Sequence, residues 1–433
     1  MLTAFGTAHC GQRTTSRRLE KRCRDSRNRR EPPNQPFVSA LLHVAAKSPK
    51  WIFQSRRTVY LPQRVRWPLV VIGGGSAAAI QVLKGVTPPE DILVVSDRWG
   101  TGMAFMGEAT LQSYAHELAV SSDSAELGRL LPVGGLRPTA RIYDSYVRES
   151  MRAAGCELLT ARVTDIRQAG DEFEVRVHGL REPLLAESVV LATGSAPRVP
   201  PPALREAGAL SYSDVYRHQG RGDSGPWRGR SVVVVGAGNS AMQTAALVAP
   251  AARDVVVLAN RYVGSYPVES SDRFAWRAPS QLTCELIVKG GRECRAGLPI
   301  PCVRHIVYDS LRVEGGELCF TYHEERNRTP LGAWSMPPRC DHTEPERAGE
   351  GAWRERRPLA ETTVVWATGS VPLYPRCPLV DGLPRDASGT IVADDKGRTA
   401  VPGLYAVGAC AGRRSVNETS PAIPTLAKSP QYG

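Results

Sequence analysis

The chain is 433 residues long with a formal net charge of +12, and the surplus sits in residues 1–66, which carry 15 Lys and Arg against 3 Asp and Glu, while residues 67–433 carry 40 of each. That distribution excludes reading the basicity as a nucleic-acid footprint of the folded body, because the domain itself would have to carry one. None of the ten cysteines is spaced as CxxC, which disfavours a zinc ribbon or a sequence-local redox disulfide.

Residues 11–35 are charged and nearly free of large apolar side chains, so this segment is expected to be disordered. Three readings of the tail compete: a basic arm for an acidic partner, an organelle transit peptide, and an upstream extension that is not part of the natural protein. Arg outnumbers Lys by 48 to 7 across the chain, a bias of GC-rich coding in which spurious upstream frames are also Arg-rich, and the third reading is preferred. The first apolar run, Phe37 to Ala46, is short and broken by His43, so no secretory signal is read and the protein is expected in the cytoplasm with reduced thiols. The folded part is expected to start near Trp67.

Two uncharged runs, Trp67 to Leu83 and Ser231 to Ala252, have the composition of membrane spans. Each, however, is a β-branched block, a glycine cluster and an alanine-rich stretch, the pattern of buried strand, tight turn and helix. In the first, Leu69 to Ile72 runs into GxGxxA at Gly73 to Ala78. Gly73 permits the turn, Gly75 lets a pyrophosphate approach the backbone, Ser76 opens the helix, and Ala78 is small enough for close helix-to-strand packing. A second strand, Ile92 to Val95, leads to Asp97, at the offset where a carboxylate binds ribose hydroxyls. The turn Gly100-Thr101-Gly102 follows; His116, within Gln112 to Ser122, is read as structural.

The second copy is Ser231 to Val235 followed by Gly236, Gly238, Asn239, Ser240 and Ala241, with a helix expected to stop near Pro250. Its next strand, Asp254 to Leu258, ends at Asn260-Arg261 with no acid. An acid there would repel a 2′-phosphate whereas Arg261 would pair with it, so this copy is expected to take NADPH and the first FAD. Two near-identical segments, Val189 to Ser195 with Thr193 and Gly194, and Val364 to Ser370 with Thr368 and Gly369, read as buried strands ending in small-residue turns at domain crossings. The segment from Tyr262 to Arg357 is polar and Cys-bearing, Arg339 to Trp353 reads as a loop, and substrate contacts are expected from this region. Near the C-terminus, Ser420 is a candidate cap for a helix starting at Pro421.

With these four motifs in order, the chain from Trp67 onward resembles the two-dinucleotide-binding-domain flavoproteins, and within them the single-component flavin monooxygenases. GNSA at Gly238 to Ala241 is similar to the GNS of their NADPH motif. Their FxGxxxHxxxY fingerprint is half met: Gly208 and Tyr216 match, Tyr212 stands at the His position and Glu206 at the Phe position. At Gly408-Ala409 the disulfide-reductase branch of the group has Gly-Asp, so Ala409 departs from that branch.

The resemblance implies an α/β fold of two Rossmann-like three-layer dinucleotide-binding domains, the NADPH domain (201–363) inserted in the FAD domain (67–200 and 364–433) after a basic extension (1–66). Gly73, Gly75, Ser76, Ala78, Asp97, Gly100, Thr101, Gly102, Thr193, Gly194, Thr368, Gly369 and Gly408 would serve FAD, and Gly236, Gly238, Asn239, Ser240, Ala241 and Arg261 would serve NADPH. The implied activity is insertion of one oxygen atom from O2 into a small-molecule nucleophile, with amine N-hydroxylation favoured. No catalytic side chain, metal, membrane or nucleic-acid partner is read. An electron-transfer reductase and a non-catalytic flavoprotein are the competing readings.

Overall fold

The computed structural model describes residues 64–109, 111, 113, 115–121, 137–223, 225–236, 238–259, 302–306, 310–323, 328–329, 332–333, 346–349, 352–413, 416 and 419–422. The basic tail, Arg261 and much of the segment after it lie outside the described residues. In chain order come β1 (Arg66–Ile72), α1 (Ser76–Lys84), β2 (Ile92–Ser96), α2 (Ala140–Ala153), β3 (Glu157–Thr160), β4 (Val163–Ala169), β5 (Glu172–Val177), β6 (Leu184–Leu191) and β7 (Ser195–Pro197). Then follow α3 (Pro202–Glu206), β8 (Leu210–Ser211), α4 (Tyr212–Gly220), β9 (Ser231–Val235), α5 (Asn239–Val248), β10 (Asp254–Ala259), β11 (Cys302–Ile306), β12 (Arg312–Glu314) and β13 (Glu317–His323). The last are β14 (Arg328–Thr329), β15 (Gly332–Ala333), β16 (Glu346–Gly349), β17 (Ala352–Pro358), β18 (Thr362–Trp366), β19 (Ser370–Pro372), α6 (Pro378–Asp381) and β20 (Leu404–Ala406).

The first sheet is built on parallel strands in the order β3-β2-β1-β6, with Val70 opposite both Leu93 and Val189. Their unbroken Val, Leu and Ile runs suit strands covered on both faces, and Leu69, Val70 and Val71 are fully buried. β6 is long enough to serve two partners along one edge: Leu184 to Ala186 pair antiparallel with β5, and Val189 to Leu191 pair parallel with β20. One face packs under α1 and α2 through Ala78, Ile80, Tyr143 and Tyr146; the other is covered by β4, β5 and the segment around Cys377, Val380 and Cys410.

The second sheet repeats the plan. Parallel strands run β11-β10-β9-β18-β8, and an antiparallel extension through β13, β17 and β16 continues from β11, with β12 beside β13. Ser231 to Ala252 is therefore β9 followed by α5, and Trp67 to Leu83 is β1 followed by α1. Among the described residues no helix is long and apolar enough to cross a membrane. One expectation is corrected: Arg339 to Trp353 is not all loop, since Glu346 to Gly349 pairs with β17 in a hairpin with an irregular register near Gly349. All four residues of β16 are exposed, so the pairing leaves no apolar alternation to read in the sequence.

The chain passes between the sheets twice, through β7 and β19. These two segments pair antiparallel, Val371 opposite Ala196, and the backbone N–H of Arg198 donates to Gly369 O at 2.9 Å. Every strand of the second sheet lies between them in sequence, so the second sheet is an insertion in the first.

Candidate cofactor sites

Each glycine motif begins at a turn that its neighbouring strand makes obligatory. Gly73 has φ +121°, and its N–H donates to Val95 O at 2.9 Å. A Cβ there would collide with the carbonyl of Ala192, whose own N–H donates to Ile72 O at 2.9 Å. Gly236 repeats the arrangement at φ +135°: its Cβ would collide with the carbonyl of Ala367, whose N–H donates to Val235 O at 2.8 Å. The two Ala-Thr-Gly segments thus pack their alanine against the first glycine of each motif.

Gly75 and Gly238 are the N-caps of α1 and α5, and neither provides a capping side chain, so the first N–H groups of both helices are left for an anion. Gly75 has φ −100°, and an added Cβ would meet only Gly100 O, at 3.4 Å. The chain's own packing does not demand glycine here. What the missing Cβ leaves is space above the helix start, which fits a pyrophosphate.

The other first-motif residues gather around this helix end. Gly408, at φ +69°, would place a Cβ 2.6 Å from the Ala77 methyl, so its loop lies on the first turn of α1. Gly100 donates its N–H to Gly74 O at 2.9 Å, and Thr101 donates its N–H to Asp144 Oδ1 at 2.6 Å. Arg148 Nε holds the other oxygen of Asp144 at 2.7 Å. Gly102 lies against the Ser195 carbonyl, 3.7 Å from where its Cβ would be. Tyr143 donates its hydroxyl to Ser76 Oγ at 3.0 Å, and burial pushes this phenol well above its ordinary range. Ala78 is fully buried and acts through packing.

Ser96 is the last residue of β2 and Asp97 projects beyond it. Its Oδ2 accepts from Arg162 Nε at 2.9 Å, and Oδ1 has no partner among the described residues. Thr193, Gly194 and Gly369 come together at the two-stranded crossing instead: the Thr193 hydroxyl donates to Leu373 O, and Leu373 N–H donates to Gly194 O at 3.0 Å. The Thr368 hydroxyl is buried and has no partner among the described residues.

In the second motif Ala241 is fully buried, while the Ser240 side chain lies beside the hydroxyl of Tyr212, the residue at the fingerprint's His position, whose pKa burial raises. Tyr216 donates its hydroxyl to Gln243 Oε1 at 3.1 Å. Asn239 opens α5 directly after Gly238.

The helix expected from Pro421 is not formed at Pro421 or Ala422. Ala422 instead gives its N–H to Gln81 Oε1 at 2.6 Å and accepts Gln81 Nε2 at 3.2 Å, which ties the C-terminal segment to the buried side of α1. Sequence reasoning missed Asp144, Gln81 and Tyr143. Each is one polar group on a helix, and its partner lies 43, 341 or 67 residues away. His116 sits on the single turn Ala115–Leu118.

The cysteine two residues after Gly408 is sealed in the core. Cys410 is fully buried, its thiol donates to Leu191 O and Val407 O at 3.1 Å each, and burial raises its pKa. Cys156 is pushed up to about 11 by burial. Among the described residues no cluster of His, Cys, Asp and Glu could hold a metal.

The model of the family described as pyridine nucleotide-disulphide oxidoreductase matches residues 67–269 and 350–426. Curated protein sequences give no significant match. Among solved structures, a flavin-containing monooxygenase from Stenotrophomonas maltophilia is 17% identical with a TM-score of 0.53, covering 82% of this chain and 95% of that one. An ornithine N-hydroxylase of Kutzneria sp. 744 is 17% identical with a TM-score of 0.54, covering 82% and 97%. The bacillithiol disulfide reductase of Bacillus cereus is 18% identical with a TM-score of 0.53, covering 82% and 93%. At these identities the likeness is one of fold.

Proposed function

The chain belongs to the pyridine nucleotide-disulphide oxidoreductase family, and on that footing we propose that it is an NADPH-dependent flavin monooxygenase that places one oxygen atom from O2 on a small-molecule nucleophile, an amine by preference. The family binds FAD and uses NAD(P)H, so the chain is an FAD-dependent oxidoreductase. Bound FAD would supply the two-electron chemistry between NADPH and oxygen.

The chain's residues have the tasks of holding, orienting and shielding. Residues 67–200 and 364–433 would hold FAD, with its pyrophosphate on the N-terminus of α1 between Gly73, Gly75 and Gly408. Asp97 Oδ1 would accept from a ribose hydroxyl while Oδ2 stays with Arg162. The loop from Gly100 to Gly102, anchored on Asp144, would close over the flavin and keep water out. Residues 201–363 would hold NADPH on the N-terminus of α5, with Arg261 on the 2′-phosphate.

The condition of the thiols supports a monooxygenase over a disulfide reductase. The sequence has no CxxC, and Cys410 is buried with its thiol directed to two carbonyls, far from the exposed thiolate that disulfide exchange requires. Ala409, in place of the reductase branch's Asp, points the same way.

The test begins with an absorbance spectrum of the purified full chain, followed by NADPH and NADH oxidation with oxygen uptake and product analysis on a panel of primary amines. The expected protein is yellow, prefers NADPH and yields an oxygenated amine; Arg261→Ala raises KM for NADPH and spares NADH. NADPH consumption that follows an added quinone without an oxygenated product would make it an electron-transfer reductase. A colourless protein would make it non-catalytic.

A further inference from the structure

The loop that begins at Gly100 does not end within its own layer. Its single turn, Ala104–Met106, packs against α2 and also against α4, which belongs to the inserted domain. Phe105 makes the crossing. Its ring centroid is 6.0 Å from that of Tyr212 at 59° and 6.0 Å from that of Tyr216 at 67°, and the Arg217 guanidinium lies 6.0 Å from the same ring. These are tilted and edge-on arrangements that aromatic quadrupoles favour, with a cation on the same ring.

The far ends of both tyrosines reach the second dinucleotide motif. The Tyr212 hydroxyl lies beside the Ser240 side chain and Tyr216 bonds Gln243, positions three apart on α5 and hence on one face of its first turns. At the near end, Gly100 is tied to Gly74 and Thr101 to Asp144. A continuous line of contacts therefore runs from the first glycine motif, through Phe105, to the start of the helix after the second.

We propose that Phe105 is a positioning residue that fixes the nicotinamide-side helix relative to the flavin-side loop, so that the two cofactors meet in register. The inference rests on the reading that NADPH reduces FAD in this protein. Tyr212 is well suited to the role where the fingerprint has His, since it offers a ring to Phe105 and sets its hydroxyl beside Ser240.

The test uses full-length protein loaded with FAD, as wild type and as Phe105→Ala, Phe105→Leu and Phe105→Tyr. Two readouts are compared: NADP+-dependent protection of the Gly100 to Gly107 amides by hydrogen–deuterium exchange, and anaerobic flavin reduction by NADPH. Ala and Leu are expected to keep the flavin spectrum and reduction by dithionite, to lose the protection, and to be reduced roughly 100-fold more slowly at saturating NADPH, as displaced reacting groups are. Tyr, which keeps the ring, is expected to stay near wild type in both readouts. The proposal is overturned if NADP+ does not protect the loop in wild type, or if a ringless variant that holds FAD keeps both protection and rate. Loss of FAD from both ringless variants also overturns it, because Phe105 would then belong to the flavin pocket itself. A wild type that takes electrons from neither NADPH nor NADH would sink the proposed function, while the exchange comparison would still judge Phe105.

Discussion

One methyl group separates the two cofactor turns from failure. At Gly236 the positive φ already penalises any L side chain by about 1–2 kcal/mol, and the Cβ would also press on the carbonyl of Ala367, the residue whose N–H ties the end of β18 to β9. Gly236→Ala is therefore expected to abolish the rise in melting temperature given by NADP+ while the FAD absorbance survives, since Gly73 keeps its own turn. Loss of both signals together would show that the two sites are not separable. These glycines were legible from spacing alone, because a strand followed by GxGxxA leaves the chain little choice. Asp144 was not: its carboxylate matters only because Thr101 arrives from a distant loop, and nothing local in α2 announces that.

At the scale of elements, the strand starts of the second sheet hold a buried charge network. Arg357 on β17 pairs with Glu355 at 2.5 Å and with Asp254 of β10 at 2.8 Å, and also donates to the Ser231 hydroxyl at the start of β9. Burial alone would raise the Asp254 pKa, but the bonds from Ser231 and Arg357 outweigh it and hold the carboxyl below its ordinary value. Its contribution to stability is thus fully present above the unfolded value near 4 and drains away as pH falls through the lower folded value. Arg357→Ala would remove the buried cation that Asp254 and Glu355 share, leaving Arg253 beside Asp254 at 3.5 Å, at a cost of about 3–5 kcal/mol. Urea unfolding at neutral pH measures that cost, and an acid titration of the wild type should show the loss beginning below about pH 4. The strands themselves were readable from β-branched runs; the network was not, because Glu355 and Arg357 sit in a charged stretch that reads as solvated surface until β13 and β10 cover it.

For the whole molecule, the repeat of strand, turn and helix disclosed two domains, the Ala-Thr-Gly pair marked the crossings, and the family resemblance implied the nesting. The substrate side was not legible, because the stretch from Tyr262 to Arg357, from which substrate contacts are expected, is polar, and such composition constrains surface but not shape. Each sheet has its own pair of apolar clusters, one built around Val70 and Tyr143, the other around Val232 and Phe320. Two cores predict two calorimetric transitions, one raised by NADP+ and the other accompanied by FAD release. A single transition raised by both ligands would mean that the Phe105 contacts fuse the cores into one cooperative unit. The antiparallel pairing of β7 with β19 has a further consequence for descent. Because the way into the insert and the way out of it lie one hydrogen bond apart, a whole nucleotide-binding module could have been gained, lost or exchanged by an ancestral gene at a single junction without disturbing the strand order of its host.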